Sequence, residues 1–312
     1  MPIYDVNGNP ATDSDVLFAN VMMFGASGDG TTDDANAIQD ALDSLKTVGG
    51  VIYFPAGIYK ITQNIHFYSN QTLYFEPGAT ILQGAYINNL LISYCESTWT
   101  GYTGTHDCLI YGATFDGGAY TTNNTLVGVV HAKNIIFENC TFKNGYGSWH
   151  DLEINASINI KVLNCDFEGS RKMAAGGELI QIDAALNSGV WPWDSCSYDS
   201  TVSKYVEIFG CYFHDDIISP AIGNHSAAEH EFIKIHNNIF DGFTASRGAI
   251  SFNGGGTQID IAGNTFNDCT TGVGSSGATY FIHENLFVGV TTAVAGNSSV
   301  SHGNMINGTY TA

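Results

Sequence analysis

Residues 24–59 read FGASGDGTTDDANAIQDALDSLKTVGGVIYFPAGIY. Four apolar residues of this stretch recur at helical spacing and predict an amphipathic helix: Ala35, Ile38, Leu42 and Leu45. Thr31 and Asp34 have the spacing of a capping box, with Asp in place of the usual Glu, just where the apolar stripe begins. A Gly-Gly pair then ends the helix, and a short β run stops at Pro55. The stretch therefore predicts a helix that closes the open end of a long β structure.

The chain after this stretch repeats a β run that ends in a small residue, Cys or Asn, then any residue, then Phe. The Phe residues of the copies are Phe115, Phe142, Phe167, Phe213, Phe240, Phe266 and Phe287. Successive copies lie 21–27 residues apart, except for one interval of 46. Apolar and polar residues alternate within these runs, which is the period of a strand and not of a helix. Because one short unit cannot bury its apolar face alone, the repeat predicts a β-solenoid with inward ladders of Phe and of Cys or Asn.

Residues 24–59 also resemble the N-terminal signature of the pectate-lyase-like right-handed parallel β-helix superfamily. That superfamily includes polysaccharide lyases, glycoside hydrolases, uronan epimerases and phage tailspike depolymerases. The resemblance implies an all-β fold, a right-handed parallel β-helix with an N-terminal capping α-helix, that acts on polysaccharide. We expect residues 1–15 to form an arm or linker, residues 16–60 the N-terminal cap, and residues 61–312 the β-helix body, with an insertion at about residues 186–201.

Composition restricts the partners. The 30 Asp and Glu residues against 10 Lys and Arg give a formal charge of −20 at pH 7, so we expect neither nucleic acid nor an anionic membrane surface as a partner. The chain has no stretch of about 18 apolar residues, so no transmembrane helix is predicted. The N-terminus shows no secretory signal. We expect an extracellular or virion-associated protein, and the resemblance to tailspikes leaves a homotrimer open. The seven cysteines have no paired spacing, which favours buried free thiols over a disulfide framework.

Polar side chains occupy alternate positions on three successive coils. If the apolar residues between them point inward, one outward column holds Glu153, Asn155, Gln181, Asp183 and His225. Glu153 and Asp183 are one coil and two positions apart, which places their backbones about 8 Å from each other. That separation lies within the range of roughly 6.5–9.5 Å typical of the carboxyl pair in inverting glycosidases.

The leading hypothesis is therefore hydrolysis of a cell-surface polysaccharide, with Glu153 and Asp183 as acid and base. Glu178 and Asp215 are substitute carboxylates, and His150 and His225 would orient the sugar or tune the pKa values of the carboxyl groups. Candidate substrate-binding residues are Trp149, Asp151, Asn155, Gln181, Trp191, Trp193, Asp216 and Arg247. A solvated strand face is the alternative for each polar residue singly, a simple turn for Asp215 and Asp216, and a hydrophobic plug or subunit contact for the two tryptophans of the insertion.

Other chemistries stay open. His150, Asp183 and His225 offer an alternative divalent-metal set, but their spacing matches no metal motif, so no metal ligands and no cofactor are predicted, with Ca²⁺ as the open alternative. A lyase or epimerase acting on uronates needs cations that neutralise the carboxylate of the substrate. Few Lys or Arg residues lie near the column, which disfavours this class. A non-catalytic glycan-binding or receptor-binding protein is the third class. Three histidines lie at strand edges without an evident carboxylate partner, and we expect them to be structural: His131, His230 and His236.

Overall fold

The computed structural model describes residues 17–147, 149–169, 177–186, 196–215, 218–225, 228–274, 277–296 and 300–310. Within these ranges the chain winds repeatedly through three β-sheets in a fixed order, and each turn between the first and the last contributes one strand to each sheet. Each strand pairs in parallel with the strand one turn further on, and only the last described pair is antiparallel. The architecture is a parallel β-helix, so the predicted all-β solenoid is confirmed. The expected arm at residues 1–15 lies outside the described residues.

The three sheets are numbered in the order in which each turn visits them. Sheet 1 contains Phe18–Asn20, Gly50–Phe54, Gln71–Phe75, His106–Tyr111, Lys133–Glu138, Ile158–Leu163, Lys204–Phe209, Glu231–His236, Gly256–Ala262, Ala278–His283 and Val300–His302. Sheet 2 contains Asp29–Asp33, Ile58–Ile61, Thr80–Gln83, Thr114–Asp116, Thr141–Lys143, Asp166–Glu168, Tyr212–His214, Ile239–Asp241, Thr265–Asn267, Leu286–Val288, Met305–Ile306 and Thr309–Tyr310. Sheet 3 contains Ile65–Phe67, Asn89–Ser93, Thr125–Val130, Leu152–Asn155, Ile180–Asp183, Ile222–Asn224, Ile250–Phe252, Thr271–Val273 and Thr292–Val294.

Two ladders run along the core. The repeated Phe side chains of sheet 2, from Phe115 to Phe287, are fully buried and stack ring on ring with centroids 4.6–5.4 Å apart. Beside them buried cysteines give way to asparagines toward the C-terminus. The side-chain oxygen of Asn264 accepts the backbone N–H of Asn238 at 2.9 Å, and Asn285 does the same for Asn264. Asn is therefore tolerated in the core because it satisfies the backbone of the turn below.

Helix α1 spans Ala35–Ser44 and occupies the place in the first turn that a sheet 3 strand takes in later turns. The side-chain amide of Gln39 pairs with the open edge of sheet 3: its Oε1 accepts from His66 N at 2.8 Å, and its Nε2 donates to His66 O at 3.2 Å. The expected capping box is absent. Thr31 lies in a strand, and the buried Asp34 carboxylate accepts from the backbone of the preceding glycine-rich turn, at Ser27 N and Gly28 N.

The expectation of free thiols alone is wrong, because Cys95 and Cys196 form a disulfide; the other five cysteines are free and buried. The two cysteines follow sheet 3 strands that lie three turns apart. The sequence separation of 101 residues hides this proximity. Four residues form a separate apolar cluster beneath the disulfide: Ile92, Val130, Ala156 and Ala185. None of the helices in the described ranges has the length and apolar character to cross a membrane.

Candidate functional site

The residues of the predicted polar column lie on sheet 3. Its register pairs Glu153 with Gln181 and Asn155 with Asp183, so Glu153 and Asp183 lie one turn and two positions apart. The intervening Ile154 and Ile182 are in the core, which leaves the polar side chains on the opposite face. That face is not solvated, however. Because the four polar side chains are at most 3% exposed, a solvated strand face does not explain them.

Glu153 is a buried carboxyl group with few donors. Its Oε1 accepts from Asn155 Nδ2 at 2.7 Å and its Oε2 from Thr125 Oγ1 at 3.3 Å. Burial raises the pKa of Glu153 to about 7, and the negative charge of Asp183 adds to this effect, while the bonds from Asn155 and Thr125 oppose it. Glu153 is therefore able to carry a proton near neutral pH.

Asp183 is also a buried carboxyl group with two donors. Its Oδ2 accepts from Gln181 Nε2 at 2.9 Å and its Oδ1 from Ala184 N at 2.9 Å. His230 Nε2 lies 3.9 Å from Oδ1, and burial lowers the pKa of this imidazole to about 4. The imidazole is therefore a neutral neighbour of Asp183.

The expectation that these histidines have no carboxylate neighbour is wrong for two of the three: His236 Nε2 is 3.0 Å from Glu207, and His230 Nε2 is 3.9 Å from Asp183. The ring nitrogens of His131 contact backbone carbonyl oxygens instead. Both carboxylates come from the preceding turns of the solenoid. Such pairs join residues of different turns, so they become visible only once the register between the turns is known. They could not be predicted from the sequence.

A second polar group forms around Glu178, which is fully buried. Its Oε1 accepts from an Arg247 Nη at 2.8 Å, and its Oε2 lies 2.8 Å from His225 Nε2 and 3.7 Å from His150 Nδ1. His150 and Glu178 each precede a sheet 3 strand by two residues on consecutive turns, so they stack. Gly223 leaves room for this carboxylate, because a Cβ there would lie 3.2 Å from Glu178 Cγ. The structure thus brings four predicted residues into one cluster.

The two groups are connected. Gln181 Nε2, which holds Asp183, also contacts His225 Nδ1 at 3.1 Å. Burial lowers the pKa of His150 to about 4. Burial also acts to lower the pKa of His225, but the bond and the charge of Glu178 outweigh it and raise that pKa above its usual range. The result is a single polar network over three turns of sheet 3.

The remaining predicted residues have varied positions. Asp215 is exposed and bonds to His214 at 2.7 Å on the outer side of sheet 2, and none of its described contacts reaches the Glu178 cluster. Trp149 is partly exposed beside His150. Asp151 is fully buried, and a Cβ on Gly145 would lie 2.0 Å from its Oδ1. Trp191, Trp193 and Asp216 lie outside the residues that the structure describes.

Two buried amide oxygens point to a ligand. Asn155 Oδ1 and Gln181 Oε1 have no hydrogen-bond partner in the described part of the chain. Both lie next to the carboxyl groups of the column, Asn155 through its bond to Glu153 and Gln181 through its bond to Asp183. Because a buried acceptor without a donor is unfavourable, hydroxyl groups of a sugar are suitable partners for both.

The model of the family described as rhamnogalacturonase A/epimerase, pectate lyase-like, matches residues 18–297. The chain belongs to this family. The match runs from the first described strand of sheet 1 past the last strand of sheet 3. It therefore includes the whole polar network.

Three proteins similar to this chain differ in their named roles. Plasmin and fibronectin-binding protein A of Streptococcus pneumoniae is 30% identical over 285 residues, which are 80% of this chain and 39% of that protein. The crystal structure of PfbA, a surface adhesin of the same species, aligns with a TM-score of 0.74 at 24% identity, over 92% of this chain and 77% of that one. The pre-neck appendage protein of Bacillus phage phi29 is 24% identical over 219 residues, 63% of this chain and 23% of that protein.

A family 28 exopolygalacturonase of Yersinia enterocolitica aligns with a TM-score of 0.68 at 16% identity, over 94% of this chain and 62% of that one. Structural likeness at these identities establishes the fold alone. The chain spans about two fifths or less of the curated relatives named above.

Proposed function

We propose that this chain hydrolyses a cell-surface polysaccharide, with Glu153 as the general acid and Asp183 as the general base. One observation carries the proposal: the two carboxyl groups are buried on adjacent turns, two positions apart, and burial raises the pKa of Glu153 to about 7. A carboxyl group that keeps its proton near neutral pH suits the acid role. Its neighbour Asp183, which accepts from two N–H donors, is then the proposed base.

The register suits a single displacement. Glu153 would protonate the leaving glycosidic oxygen, and Asp183 would take a proton from the attacking water on the other side of the sugar ring. One turn and two positions separate the backbones by about 8 Å, which leaves room for that water. Asn155 Oδ1 and Gln181 Oε1 would accept sugar hydroxyl groups. The partly exposed Trp149 would stack on a sugar face, and Trp191, Trp193 and Asp216 remain proposed contacts from the sequence.

Relatives support an extracellular or virion location. A surface adhesin and a phage appendage protein are both similar to this chain, and an exopolygalacturonase shares its fold. We also propose that α1 closes the N-terminal end of the solenoid, as the bonds of Gln39 to His66 suggest. A homotrimer is proposed on the resemblance to tailspikes, and light scattering of the purified chain tests it.

The experiment is incubation with a panel of bacterial and plant polysaccharides, read for new reducing ends and for unsaturated products. The wild-type protein should release reducing ends from at least one glycan without enone absorbance, and Glu153→Gln and Asp183→Asn should each reduce the rate by at least about 100-fold. Asp260→Asn serves as the control, because this carboxylate pairs with His283 on the surface of sheet 1. Wild-type rates in either site variant would contradict the assignment, and unsaturated products would favour the lyase alternative.

A second candidate function is adhesion without catalysis. The observation in its favour is the 30% identity, over 80% of this chain, to a protein named for binding plasmin and fibronectin. A protein of this kind would bind a glycan or a host protein and release no new ends. Surface plasmon resonance on immobilised glycans, plasmin and fibronectin, together with the cleavage assay, separates the two functions.

A further inference from the structure

His150, Glu178 and His225 converge on one point beside the proposed catalytic carboxyl groups. One ring nitrogen of each histidine and one carboxylate oxygen all lie within 4.8 Å of one another. The Glu178 side chain is 0% exposed, and His225 Nε2 is 2.8 Å from its Oε2. Two imidazole nitrogens and one buried carboxylate oxygen that converge in this way are a ligand set in which a divalent cation fits.

We infer that His150, Glu178 and His225 bind one divalent transition-metal ion, for which Zn²⁺ is the best match. Bonds of about 2.0–2.1 Å in a tetrahedron place ligand atoms about 3.3 Å apart. The two nitrogen–oxygen separations at Glu178 Oε2, 2.8 Å and 3.7 Å, lie on either side of that value. Two imidazoles with one carboxylate favour Zn²⁺ and its neighbours over Ca²⁺ or Mg²⁺, which prefer oxygen ligands alone.

Surrounding residues would orient the ligands. Arg247 binds Glu178 Oε1 at 2.8 Å and so turns Oε2 toward the histidines. His150 and Glu178 each precede a sheet 3 strand by two residues on consecutive turns, which places the ring beside the carboxylate. The 3.0 Å contact of His150 Nδ1 with the carbonyl oxygen of Glu178 must break when this nitrogen binds the metal. When His225 binds the metal through Nε2, its proton sits on Nδ1, and the amide of Gln181 must rotate to offer its now unpartnered Oε1. That rotation takes Gln181 Nε2 away from Asp183, so metal occupancy also changes how Asp183 is held.

The local charge favours a cation. Glu178 and Asp183 are both 0% exposed, and the guanidinium of Arg247 pairs with Glu178. Buried carboxylates in excess of buried cations are unfavourable unless an ion or a proton compensates them. A divalent ion supplies that compensation. Because neither Glu153 nor Asp183 belongs to the ligand set, metal binding can be measured separately from the proposed hydrolysis.

Calorimetric titration of tag-free, chelator-treated protein with Zn²⁺ tests the inference, followed by the visible spectrum of the Co²⁺ form. Wild-type protein should bind one equivalent of Zn²⁺ and give the Co²⁺ absorption of a four- or five-coordinate site. His225→Gln and His150→Gln should each lower the Zn²⁺ affinity at least about 100-fold. His236→Gln is the matched control, since this histidine pairs with Glu207 on sheet 1, and its affinity should equal that of the wild type.

Circular dichroism melts confirm that each variant is folded, and Glu178→Gln, which keeps the side-chain shape, provides a third ligand variant. The inference is overturned if the wild type binds no Zn²⁺ at micromolar concentration, or if the His225 and His150 variants bind it as well as the wild type. Equal binding of Ca²⁺ and Zn²⁺ would also overturn it. No polysaccharide is needed, so failure of this test leaves the proposed hydrolysis untouched.

Discussion

Glu153→Gln is expected to raise the free energy of unfolding at alkaline pH, because the wild-type side chain is held in a site that disfavours its charge. Its pKa is about 7 in the fold against an ordinary value of 4.5. This difference of about 2.5, at 1.36 kcal/mol for each pH unit, corresponds to about 3 kcal/mol. A neutral Gln avoids that penalty, and it can keep the bond from Asn155 through its own oxygen.

The sign follows from proton binding. Because the folded pKa lies above the unfolded one, the folded state binds more protons between about pH 4.5 and 7, so wild-type stability falls as pH rises through this window. The variant lacks this dependence. It should exceed the wild type by about 3 kcal/mol at pH 8 and by about 1 kcal/mol at pH 5.

Urea unfolding of both proteins at pH 5 and pH 8 measures the two differences. Glu207→Gln is the control with the opposite sign, because the bond from Lys161 chiefly lowers the pKa of Glu207. That pair therefore stabilises the fold above the ordinary pKa of Glu207 and is lost at acid pH, so this variant should be weakened slightly at pH 8. The reasoning about Glu153 is refuted if its Gln variant is less stable than the wild type at pH 8, or if the difference is the same at both pH values.

Other perturbations have equally definite outcomes. Arg247→Ala leaves the buried charge of Glu178 without its guanidinium, so urea unfolding should show a loss of about 3 kcal/mol, and an unchanged midpoint would contradict the ion pair. The double replacement of Cys95 and Cys196 by Ser releases two loops joined across 101 residues. We expect the free energy of unfolding to fall by about 2–4 kcal/mol and proteolysis near residues 196–202 to begin earlier. Wild-type stability would show that the bond is not formed. Phe213→Ala removes a fully buried ring from the middle of the sheet 2 ladder and should cost about 3–5 kcal/mol in the same assay, whereas a cost below about 1 kcal/mol would contradict close stacking.

The fold could be predicted from the sequence because its residue pattern is periodic. A Phe that recurs at near-constant intervals, within runs that alternate apolar and polar residues, indicates equivalent positions on stacked strands, and the aligned pairs Phe142 with Phe167 and Phe240 with Phe266 confirm it. The same alternation placed Glu153 and Asp183 on one face and one turn apart. Period-2 geometry fixes both the direction of a side chain within a strand and its neighbour on the next turn.

The other contacts of the site could not be predicted from this alternation. Glu178 and Arg247 lie in the loops before their strands, where the direction of side chains has no period. They also come from turns of the solenoid that are not adjacent. The contact of His230 with Asp183 depends on register across sheets. The disulfide was missed for a related reason: Cys95 and Cys196 lie outside the strands, where no repeat predicts which residues meet.

The pH dependence of kcat/KM for reducing-end release tests the central claim most directly. If Glu153 is the general acid, the rate should fall on the alkaline side with a midpoint near pH 7, where this group loses its proton. Glu153→Gln should show no such alkaline limb and only a small residual rate. A wild-type rate that stays level to pH 9, cleavage by the Gln variant at the wild-type rate, or a panel of glycans from which no reducing ends appear would contradict the account.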